Sequence, residues 1–543
     1  MVYTIGCLVG DKTTVEDCLN YFKHRDIIQV DTETTGRDPH TDKIISLQIG
    51  TKENQWFIDC RNTDILLFKE LLESKLCIIQ NSKFDYKMLK KAGIVIERIY
   101  DTMLAECVLY CGYDKWGYGL DKLVERYLGI DLSKEERQSF LTVGDKPFTL
   151  NQVLYGALDV KYLEQIRDKQ LDLIKTYDLE YCVNLENEVV KALADIEYNG
   201  MLLDEKDWLT ITERQKLEQE RILSNLDSIV KAEPALNSLV PKTVQINLFG
   251  FEERELSINY SSPKQIKEIC TLLGYPVDST NDRELVKLAK KHPFFKVLQE
   301  SRKSSKILST YGESFLRYIN PSTGRVHTDF WQVKETGRVS SGSKEMNAPN
   351  VQNLPAQNIF RNCFKARKGF KWVSIDYSGQ ELRLMADGSG EEGFIEVLNR
   401  GEDLHCYAGS MMFKRPITKA DKELRNKAKT INFGKPYGMG PPKLADTLGI
   451  TIEEAEDLFK EYARAFPKLN KWLDNLGQFA IANAYSTTFS PCKRKRWYPD
   501  MHTAKKLRST VKKGEKETWK QIFTIEGQTQ RNGGNSPRRM GLI

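Results

Sequence analysis

The sequence predicts a multidomain protein in which an α/β layer precedes a larger α+β region. Three observations support this prediction. The chain has 543 residues, too many for a single hydrophobic core. Residues 1–180 alternate short β-rich runs with helical patterns, which indicates an α/β layer with a mixed sheet. Residues 181–320 are mainly helical, and a β-containing core returns from about residue 321.

Hydrophobic periodicity and turn residues predict the individual elements. In the first part the predicted strands are 27–30, 44–50, 55–59 and 76–80, and the predicted helices are 64–74, 84–92, 102–110 and 151–177. In the helical part the predicted helices are 181–199, 205–232, 263–273, 282–290 and 294–318. A further strand is expected at 371–376, where apolar and polar residues alternate, with helices from there to about residue 482.

Composition excludes several classes of protein. Apolar residues make up 40% of the chain, but no run reaches the ~18 apolar residues that span a bilayer, so no membrane partner is expected. Eleven cysteines are scattered without a Cys-x-x-Cys pair, which predicts reduced thiols in a cytoplasm. Residues 493–520 carry eleven Lys or Arg and three acids among aromatic residues. That pattern fits a phosphate-binding surface and a solvated basic face equally well.

Carboxylates in three separate segments form the first candidate site. Asp31 and Glu33 follow a strand and point to the same face, which costs free energy unless a cation neutralises them. Asp85 opens a helix after another strand, and Tyr155 and Asp159 share one helix face. Taken alone, the first pair is equally compatible with a capped turn. Four hard oxygen donors together fit a site for two Mg²⁺ ions, with Mn²⁺ as an alternative.

In order and context, these residues resemble the motifs of the DEDD exonuclease superfamily, tyrosine subtype. The resemblance includes the segment 101–105, Asp-Thr-Met-Leu-Ala. It implies a ribonuclease-H-like domain that removes nucleotides from a DNA 3′ end. In that reading Asp31, Glu33, Asp85 and Asp159 bind the metals, and Tyr155 orients the attacking water. Two metal ions can activate water and stabilise the leaving oxygen of a phosphodiester.

Two polar blocks at 336–341 and 349–355 open the second candidate site. They combine an arginine, hydroxyls and amides, groups that grip sugar and phosphate. Both blocks are similar to the primer-template contact motif of family A DNA polymerases. The resemblance assigns DNA binding to six residues: Thr336, Arg338, Ser340, Asn350, Gln352 and Asn353.

The predicted strand at 371–376 delivers Asp376 at its end, followed by Tyr377-Ser-Gly-Gln-Glu381-Leu-Arg383. This octapeptide looks like motif A of the same polymerase family. The resemblance implies that Asp376 is catalytic and binds Mg²⁺ together with Tyr377. It implies that Glu381 blocks a 2′-hydroxyl and that Arg383 contacts DNA. A lone Asp after a strand is more often a helix cap, but the context favours the catalytic role.

A basic and aromatic row in 425–438 resembles the fingers motif of the family. Arg425, Lys429 and Phe433 recur every four residues and line one helix face. The resemblance assigns the two cations to the triphosphate, Phe433 to deoxyribose and Tyr437 to the templating base. Pro436 cannot donate a backbone hydrogen bond, so the helix is expected to kink or end near residue 435.

Three further features complete the comparison with the family. His405 matches a family segment and is predicted to lie near the nucleotide, although a structural histidine is as good a reading. Arg531 and Asn535 resemble the start of a helix that follows the primer-template. The His-Asp-Glu turn that relatives carry afterwards does not occur in this sequence. We therefore expect 3′-end degradation from this chain, and primer extension only with a missing C-terminal part. Intron read-through, a frameshift and a second polypeptide carrying His-Asp-Glu all remain open.

The sequence therefore predicts a DNA-directed DNA polymerase with a 3′–5′ proofreading exonuclease. It would act on primer-template DNA and deoxynucleoside triphosphates in a bacterial or phage-infected cytoplasm. The predicted domains are 1–180 for the exonuclease and 181–543 for a right-hand polymerase lacking its C-terminal palm hairpin. Within the latter, the thumb is placed at about 200–320, the palm at about 321–400 and 483–543, and the fingers at about 401–482. No nuclease domain for 5′ ends precedes them, which suggests a phage-like, minimal enzyme. An exonuclease only, an inactive DNA-binding subunit and, less well, a single-subunit RNA polymerase are the alternatives.

Overall fold

The structure is a computed structural model of the chain. It describes residues 2–5, 11–113, 116–132, 135–240, 245–246, 252–253, 256, 258–355, 358–511 and 515–539. The chain divides into two compact units. The first unit contains residues 1–198, 330–340 and 374–543, and the second contains residues 199–329 and 341–373. In the part of the chain that the structure describes, no helix is long and apolar enough to cross a membrane.

A seven-stranded mixed sheet forms the centre of the N-terminal part of the first unit. Its strands are β1 (Val2–Ile5), β2 (Asp11–Thr13), β3 (Ile27–Thr34), β4 (Ile44–Gly50), β5 (Gln55–Asp59), β6 (Leu76–Ile79) and β7 (Arg98–Asp101). They are hydrogen bonded in the order β2-β1-β5-β4-β3-β6-β7. Strand β3 pairs antiparallel with β4 and parallel with β6, and β6 pairs parallel with β7. The sheet confirms the predicted α/β layer.

Eight helices accompany this sheet among the described residues. They are α1 (Val15–Phe22), α2 (Lys69–Ser74), α3 (Ser82–Lys91), α4 (Thr102–Leu109), α5 (Leu120–Leu128), α6 (Leu150–Lys161), α7 (Leu163–Thr176) and α8 (Glu180–Asn199). Two 3-10 helices, Ile65–Phe68 and Glu135–Thr142, lie between them in sequence. The apolar faces of the sheet and helices pack into several buried clusters, one of which includes Val30, Leu47, Ile79 and Leu89.

Helix α6 approaches the sheet more closely than a larger residue would allow. Thr149 and Gln152 form a capping box that fixes its first turn. A Cβ added at Gly156 would lie 2.9 Å from the Gln48 amide nitrogen and 2.9 Å from the Phe57 ring. The glycine therefore allows α6 to sit directly on β4 and β5, which places the rest of this helix against the sheet.

The second unit is mainly helical and contains a small antiparallel sheet. Its elements are β8 (Met201–Leu203), α9 (Glu205–Ala232), β9 (Gln245–Ile246), β10 (Glu252–Glu253), α10 (Pro263–Leu272), α11 (Asp282–Leu288), α12 (Pro293–Tyr311), β11 (Ile319–Asn320) and β12 (Arg325–Val326), then α13 (Asn358–Arg361) and β15 (Phe364–Lys365). Residues 330–340 belong to the first unit and separate the two parts of the second in sequence. Two short strands, β13 (Phe330–Trp331) and β14 (Ser340–Ser341), lie at the ends of that segment. Strands β11, β12, β8 and β15 form the sheet. Trp208, fully buried, stacks on Phe315 in its core.

The C-terminal part of the first unit is helical. Its elements are α14 (Gln380–Ser389), α15 (Glu392–Asn399), α16 (Leu404–Phe413), α17 (Lys422–Gly434), α18 (Pro441–Leu448), α19 (Ile452–Ala465), α20 (Pro467–Asn483), β16 (Tyr485–Thr487), β17 (Lys495–Trp497), α21 (Asp500–Thr510) and α22 (Lys516–Arg539). A 3-10 helix, Lys435–Tyr437, follows α17. Helices α14 to α20 share an apolar core around Phe394, Tyr462 and Phe466.

One predicted strand is wrong, and several elements were not predicted. Residues 371–377 have no regular secondary structure, although their alternating pattern favours a strand. A strand needs a hydrogen-bonded neighbour, and the described residues supply none there. The predicted helix 151–177 is two helices, because it is interrupted at Tyr162. Strands β1, β2 and β7 and helix α5 carry no strong pattern in the sequence and were missed.

Candidate functional site

Strand β3 carries the first two carboxylates of the candidate site. Asp31 and Glu33 lie opposite Gln48 and Ser46 of β4, and a β-bulge follows between Glu33 and Thr34. The strand is buried over most of its length, so the backbone positions of both acids are fixed by the sheet. Residues two apart on a strand share a face, which brings these side chains together.

Helix α6 brings Asp159 to the same place. Oxygens of Asp31, Glu33 and Asp159 all lie within 4.8 Å of one another, and all three side chains are partly buried. Tyr155 lies one turn earlier on α6, and its ring centroid is 5.9 Å from that of Phe140. The structure therefore brings together three of the four predicted metal-binding acids, with the predicted tyrosine beside them.

Asp85 lies next to this group but is held differently. It is buried, and its carboxylate accepts a hydrogen bond of 2.6 Å from the Thr32 hydroxyl. Its helix, α3, directly follows Asn81, whose φ of 61° is a left-handed conformation that Asn tolerates. Asp101, fully buried, accepts hydrogen bonds from the backbone N–H groups of Asn81 and Ser82 and caps α4 as well. Asp101 thus fixes the start of the helix that presents Asp85, a role that the sequence pattern did not reveal.

Burial and mutual repulsion dominate the electrostatics of the group. Burial raises the pKa of Asp31 to about 7. Burial, together with the charges of Asp31 and Asp159, raises the pKa of Glu33 to about 9. Burial and Asp31 also raise the pKa of Asp85 well above its usual range. The pKa of Tyr155 is raised by burial and by Asp159 and Glu33, so its hydroxyl stays protonated at neutral pH.

One cation faces the group and was not identified from the sequence. Arg137, in the 3-10 helix Glu135–Thr142, opposes the effect of burial by lowering the pKa of Asp31 and of Glu33. It also lowers the pKa of Tyr155. A lone arginine after Glu135 and Glu136 gives no signal in a single sequence, because only the fold brings it to this site.

The donor set fits a divalent cation. Carboxylates this close either share protons or bind a cation, because ionising neighbouring carboxylates side by side costs free energy. Oxygen donors alone, without sulfur or imidazole, suit Mg²⁺ or Mn²⁺ better than zinc. Asp31, Glu33 and Asp159 would hold such an ion directly, and Asp85 lies close enough to influence it.

The residues around Asp376 lack regular secondary structure and are exposed. Asp376 and Tyr377 lie in the irregular segment 371–377, and every residue of 371–379 is exposed. Tyr377 itself is 70% exposed. Among the described residues, Asp376 belongs to no group of three or more possible metal-ligating side chains. The structure therefore does not assemble a metal site around this acid.

Glu381 and Arg383 lie on helix α14, immediately after that segment. The Glu381 carboxylate accepts hydrogen bonds from the Tyr437 hydroxyl and, at 3.3 Å, from the Arg338 guanidinium. Three predicted site residues from distant parts of the sequence therefore meet at one carboxylate. Arg383 is exposed, and its Nε donates to the Ser378 carbonyl.

Arg425 of α17 is paired with an acid. Its guanidinium donates to Asp403 from Nη2 at 2.6 Å and from Nε at 3.1 Å. Burial opposes ionisation of Asp403, but the Arg425 hydrogen bonds prevail and hold its pKa at about 2. His405 is half-buried, its pKa is lowered by burial, and it contacts Asn432 and the ring of Phe433. These contacts are consistent with a structural role, and both readings of His405, structural and near the nucleotide, stay predictions.

The remaining residues of the fingers row share a cavity. It has a volume of about 580 Å³, and Lys429, Phe433, Tyr437 and Lys443 are among its lining residues. Helix α17 ends at Gly434, so Tyr437 lies in the following 3-10 helix, as Pro436 predicts. A cavity with two lysines and two aromatic rings suits a phosphate-bearing nucleotide.

The predicted DNA-contacting residues are placed in several settings. Thr336 and Ser340 are partly buried, and Arg338 is exposed. In the second unit, Asn350 caps the 3-10 helix Val351–Asn353, and the Gln352 side chain accepts a hydrogen bond from the Ser341 backbone. Two further predicted residues, Arg531 and Asn535, lie in α22, but their side chains are outside the described residues.

Comparison with known families decides the assignment. The model of DNA polymerase family A matches residues 242–518, just over half of the chain. This chain belongs to DNA polymerase family A. A second family model, described as 3′–5′ exonuclease, matches residues 8–174 of this family A chain, where the acidic group lies. The predicted fold class, an exonuclease domain followed by a polymerase domain, is confirmed.

Several bacterial proteins named DNA polymerase I are similar to the family A chain. The protein of Borreliella burgdorferi is 29% identical over 522 residues, which cover 91% of this chain and 54% of that protein. The protein of Pseudomonas aeruginosa is 28% identical, with coverages of 91% and 55%. A thermostable enzyme of Thermus aquaticus is 36% identical over 228 residues. The chain spans about half the length of the first two relatives.

A solved structure shows the same fold. It is the POL domain of Pol1 from M. smegmatis, in complex with DNA primer-template and dNTP. The TM-score is 0.72 at 22% identity, and the match covers 98% of this family A chain and 85% of the other.

Proposed function

We propose that this chain is a DNA-directed DNA polymerase with a 3′–5′ proofreading exonuclease, used in DNA replication. The observation that carries the proposal is the group of Asp31, Glu33 and Asp159, whose oxygens lie within 4.8 Å inside the segment that matches the exonuclease family. The names of the relatives and the ligands of the solved neighbour support primer-template DNA and deoxynucleoside triphosphates as substrates. The cytoplasm, where bacterial and phage DNA is copied, is the proposed location.

The exonuclease reaction is hydrolysis of the terminal phosphodiester of a DNA 3′ end. The proposed cofactor is Mg²⁺, two ions held by Asp31, Glu33, Asp85 and Asp159, with Mn²⁺ as an alternative. Such ions lower the pKa of water and neutralise charge on the phosphate. The Tyr155 hydroxyl stays protonated, so it can donate a hydrogen bond that orients the attacking water. The water oxygen bonds to phosphorus, the 3′-oxygen leaves with a proton, and a nucleoside 5′-monophosphate is released.

For polymerisation, the proposed nucleotide site is the cavity lined by Lys429, Phe433 and Tyr437. The lysine would bind phosphate oxygens, and the rings would stack on sugar and base. Glu381, anchored by Tyr437, would face the 2′ position and reject ribonucleotides. Arg425 would reach the triphosphate only by leaving Asp403. The primer 3′-hydroxyl would then attack the α-phosphate, and pyrophosphate would leave.

We further propose that primer extension needs a β-strand from another polypeptide, such as one carrying a His-Asp-Glu turn. The segment around Asp376 supports this. Five of its large apolar side chains are more than half exposed: Phe370, Trp372, Val373, Ile375 and Tyr377. Aromatic and β-branched residues of this kind favour a paired, half-buried strand. Pairing would fix Asp376 and cover the apolar side chains.

Paired assays on one preparation test the proposal. Wild type with Mg²⁺ should shorten a 3′-labelled single strand, and a chelator should stop it. Asp31→Ala should abolish shortening, and Asp376→Ala should leave it unchanged. No 3′ degradation by the wild type in Mg²⁺ or Mn²⁺ would reject the exonuclease. Robust primer extension by this chain alone would reject the need for another strand.

The exposed Asp376 segment also favours a second candidate, an exonuclease whose polymerase region only binds DNA. That protein would degrade 3′ ends but would not extend a primer even when a polypeptide carrying a His-Asp-Glu turn is supplied. An inactive DNA-binding subunit would show salt-sensitive DNA binding and neither reaction.

A further inference from the structure

Arg137 is an exposed cation at the edge of the acidic group. Its charge acts on Asp31, Glu33 and Tyr155, so it faces the site from a separate element. Among the described residues Arg137 forms neither an ion pair nor a hydrogen bond, and its side chain is exposed. The guanidinium is therefore close to three functional groups but engaged by none of them.

The segment that carries Arg137 is firmly attached to helix α6. Phe140, one turn later, is almost fully buried, and its ring lies 5.9 Å from the ring of Tyr155. The Gln152 side chain of α6 donates a hydrogen bond of 2.9 Å to the Ser139 hydroxyl. Because α6 also carries Asp159, the backbone of the segment around Arg137 is held close to the acidic group.

The charge of Arg137 suits an incoming anion. An arginine beside acids that bind a divalent cation weakens metal binding by repulsion, so its presence there has a cost. A phosphodiester that binds with the metal reverses the balance, because it is attracted by both cations. The planar guanidinium can donate two hydrogen bonds to phosphate oxygens in a fixed geometry.

We propose that Arg137 binds a non-bridging oxygen of the terminal phosphodiester of a DNA 3′ end. The inference rests on the proposed exonuclease and names a substrate-binding residue of that site. During hydrolysis Arg137 transfers no proton. It stabilises the negative charge on the non-bridging oxygens as the water oxygen bonds to phosphorus and the 3′-oxygen departs.

Binding of two short single strands tests the proposal. They differ only in the terminal linkage, which is a phosphodiester in one and an uncharged methylphosphonate in the other. Fluorescence anisotropy is measured with Ca²⁺ in place of Mg²⁺, and a gel checks that both strands stay intact. Wild type should bind the methylphosphonate strand about 10- to 100-fold more weakly, as expected for losing a charged hydrogen bond. Arg137→Gln should bind the phosphodiester strand more weakly than wild type and the methylphosphonate strand about as well as wild type, so that only the preference due to the bound Ca²⁺ is left.

Three comparisons make the test decisive. Gln138→Ala, at the next exposed position, should behave like wild type. Arg137→Lys keeps the positive charge but lacks the paired donors of the planar guanidinium. It should recover part of the preference for the phosphodiester strand. Mn²⁺ titration without DNA should show equal or tighter binding for Arg137→Gln, because a nearby cation has been removed. Weaker Mn²⁺ binding would mean that the acids were disturbed.

Two results would overturn the proposal: equal losses on both strands, or weaker Mn²⁺ binding by Arg137→Gln. Failure of the proposed function has a different signature, since wild type would then leave 3′ ends intact in Mg²⁺. The comparison of the two strands decides the role of Arg137 in either case.

Discussion

The two acidic regions of this chain differ in how the fold holds them. Asp31 and Glu33 lie on a strand paired on both sides, and Asp159 comes from a helix seated directly on the same sheet. Asp376 lies in an irregular segment whose residues are all exposed. Both regions carry recognisable motifs, so a motif alone does not give a site. Paired strands and seated helices convert acids that are distant in sequence into one ligand set.

Removing one acid from the paired region should have the largest effect. Glu33→Gln should lower 3′ hydrolysis by about 10³-fold or more, because a metal-holding charge worth several kcal/mol is lost. The matched change in the other region, Glu381→Gln, should leave the rate of hydrolysis within about twofold of wild type, because Glu381 is not part of the acidic group that binds the metal. Initial rates on a 3′-labelled strand measure both. Equal losses would show that the two regions act as one site.

The second-largest effect on 3′ hydrolysis should come from displacing helix α6. Gly156→Ala should lower the free energy of unfolding by about 1–3 kcal/mol, because the new methyl meets the Phe57 ring and Gln48. The shift of Tyr155 and Asp159 should reduce hydrolysis roughly 10- to 100-fold.

The matched control for that change is Gly440→Ala, at the residue before α18. Within 4 Å its new methyl would meet only Pro442 Cδ, at 3.8 Å, which is an ordinary van der Waals contact. Thermal unfolding and 3′ hydrolysis should therefore change little. If the two variants behaved alike in both measurements, the close seating of α6 would not be what positions Asp159.

Metal binding should depend on pH in the paired region. Asp31 and Glu33 have pKa values raised to about 7 and about 9, so both must release protons before they hold a cation. Mn²⁺ affinity should therefore rise from pH 6 to pH 9, by up to about tenfold per pH unit for each proton released. Calorimetric titration at several pH values measures it, and Glu33→Gln should remove the dependence above pH 8.

The same protons set the stability of the metal-free protein. The folded state holds them at pH values where the unfolded chain has lost them, so stability should fall as pH rises from about 5 to about 9. Saturating Mn²⁺ should reverse that fall. Metal-free thermal unfolding that became more stable over this range would contradict the raised pKa values.

The smallest expected effect concerns the ion pair of Asp403 with Arg425 of helix α17. Asp403→Asn keeps the helix cap of α16 but removes the charge that holds Arg425. Freed for phosphate, Arg425 should tighten deoxynucleotide binding about two- to fivefold, the scale of a partly exposed ion pair. Asp457→Asn, in the exposed pair with Lys460, is the control. Weaker binding by Asp403→Asn would show that Asp403, rather than Arg425, serves the nucleotide.

The sequence predicted the elements that carry the acids. Strands 44–50 and 55–59 match the structure residue for residue, because buried strands bounded by polar turns give a clear pattern. The convergence of Asp31, Glu33 and Asp159 followed from family motifs. The structural position of Arg137 could not be predicted, because electrostatic proximity across the fold leaves no periodic signal.

Two other regions show where local pattern fails. Residues 371–376 have strand-forming residues but no strand, because pairing is a property of neighbours that the segment itself does not encode. The basic and aromatic run from residue 493 is partly internal. Arg494 is buried against Glu186, Lys493 pairs with Asp178, and the Trp497 indole donates to the Leu109 carbonyl. A count of basic residues does not distinguish such fold contacts from a DNA-binding surface.

Among the described residues, Asp101 forms no hydrogen bond with the metal-binding acids, yet it accepts hydrogen bonds from the backbone N–H groups of Asn81 and Ser82 and caps α4. In a saturation-mutagenesis screen scored by nuclease output, position 101 would rank with the catalytic acids. Only a separate measure of folded protein would distinguish such a scaffold residue from one that performs chemistry.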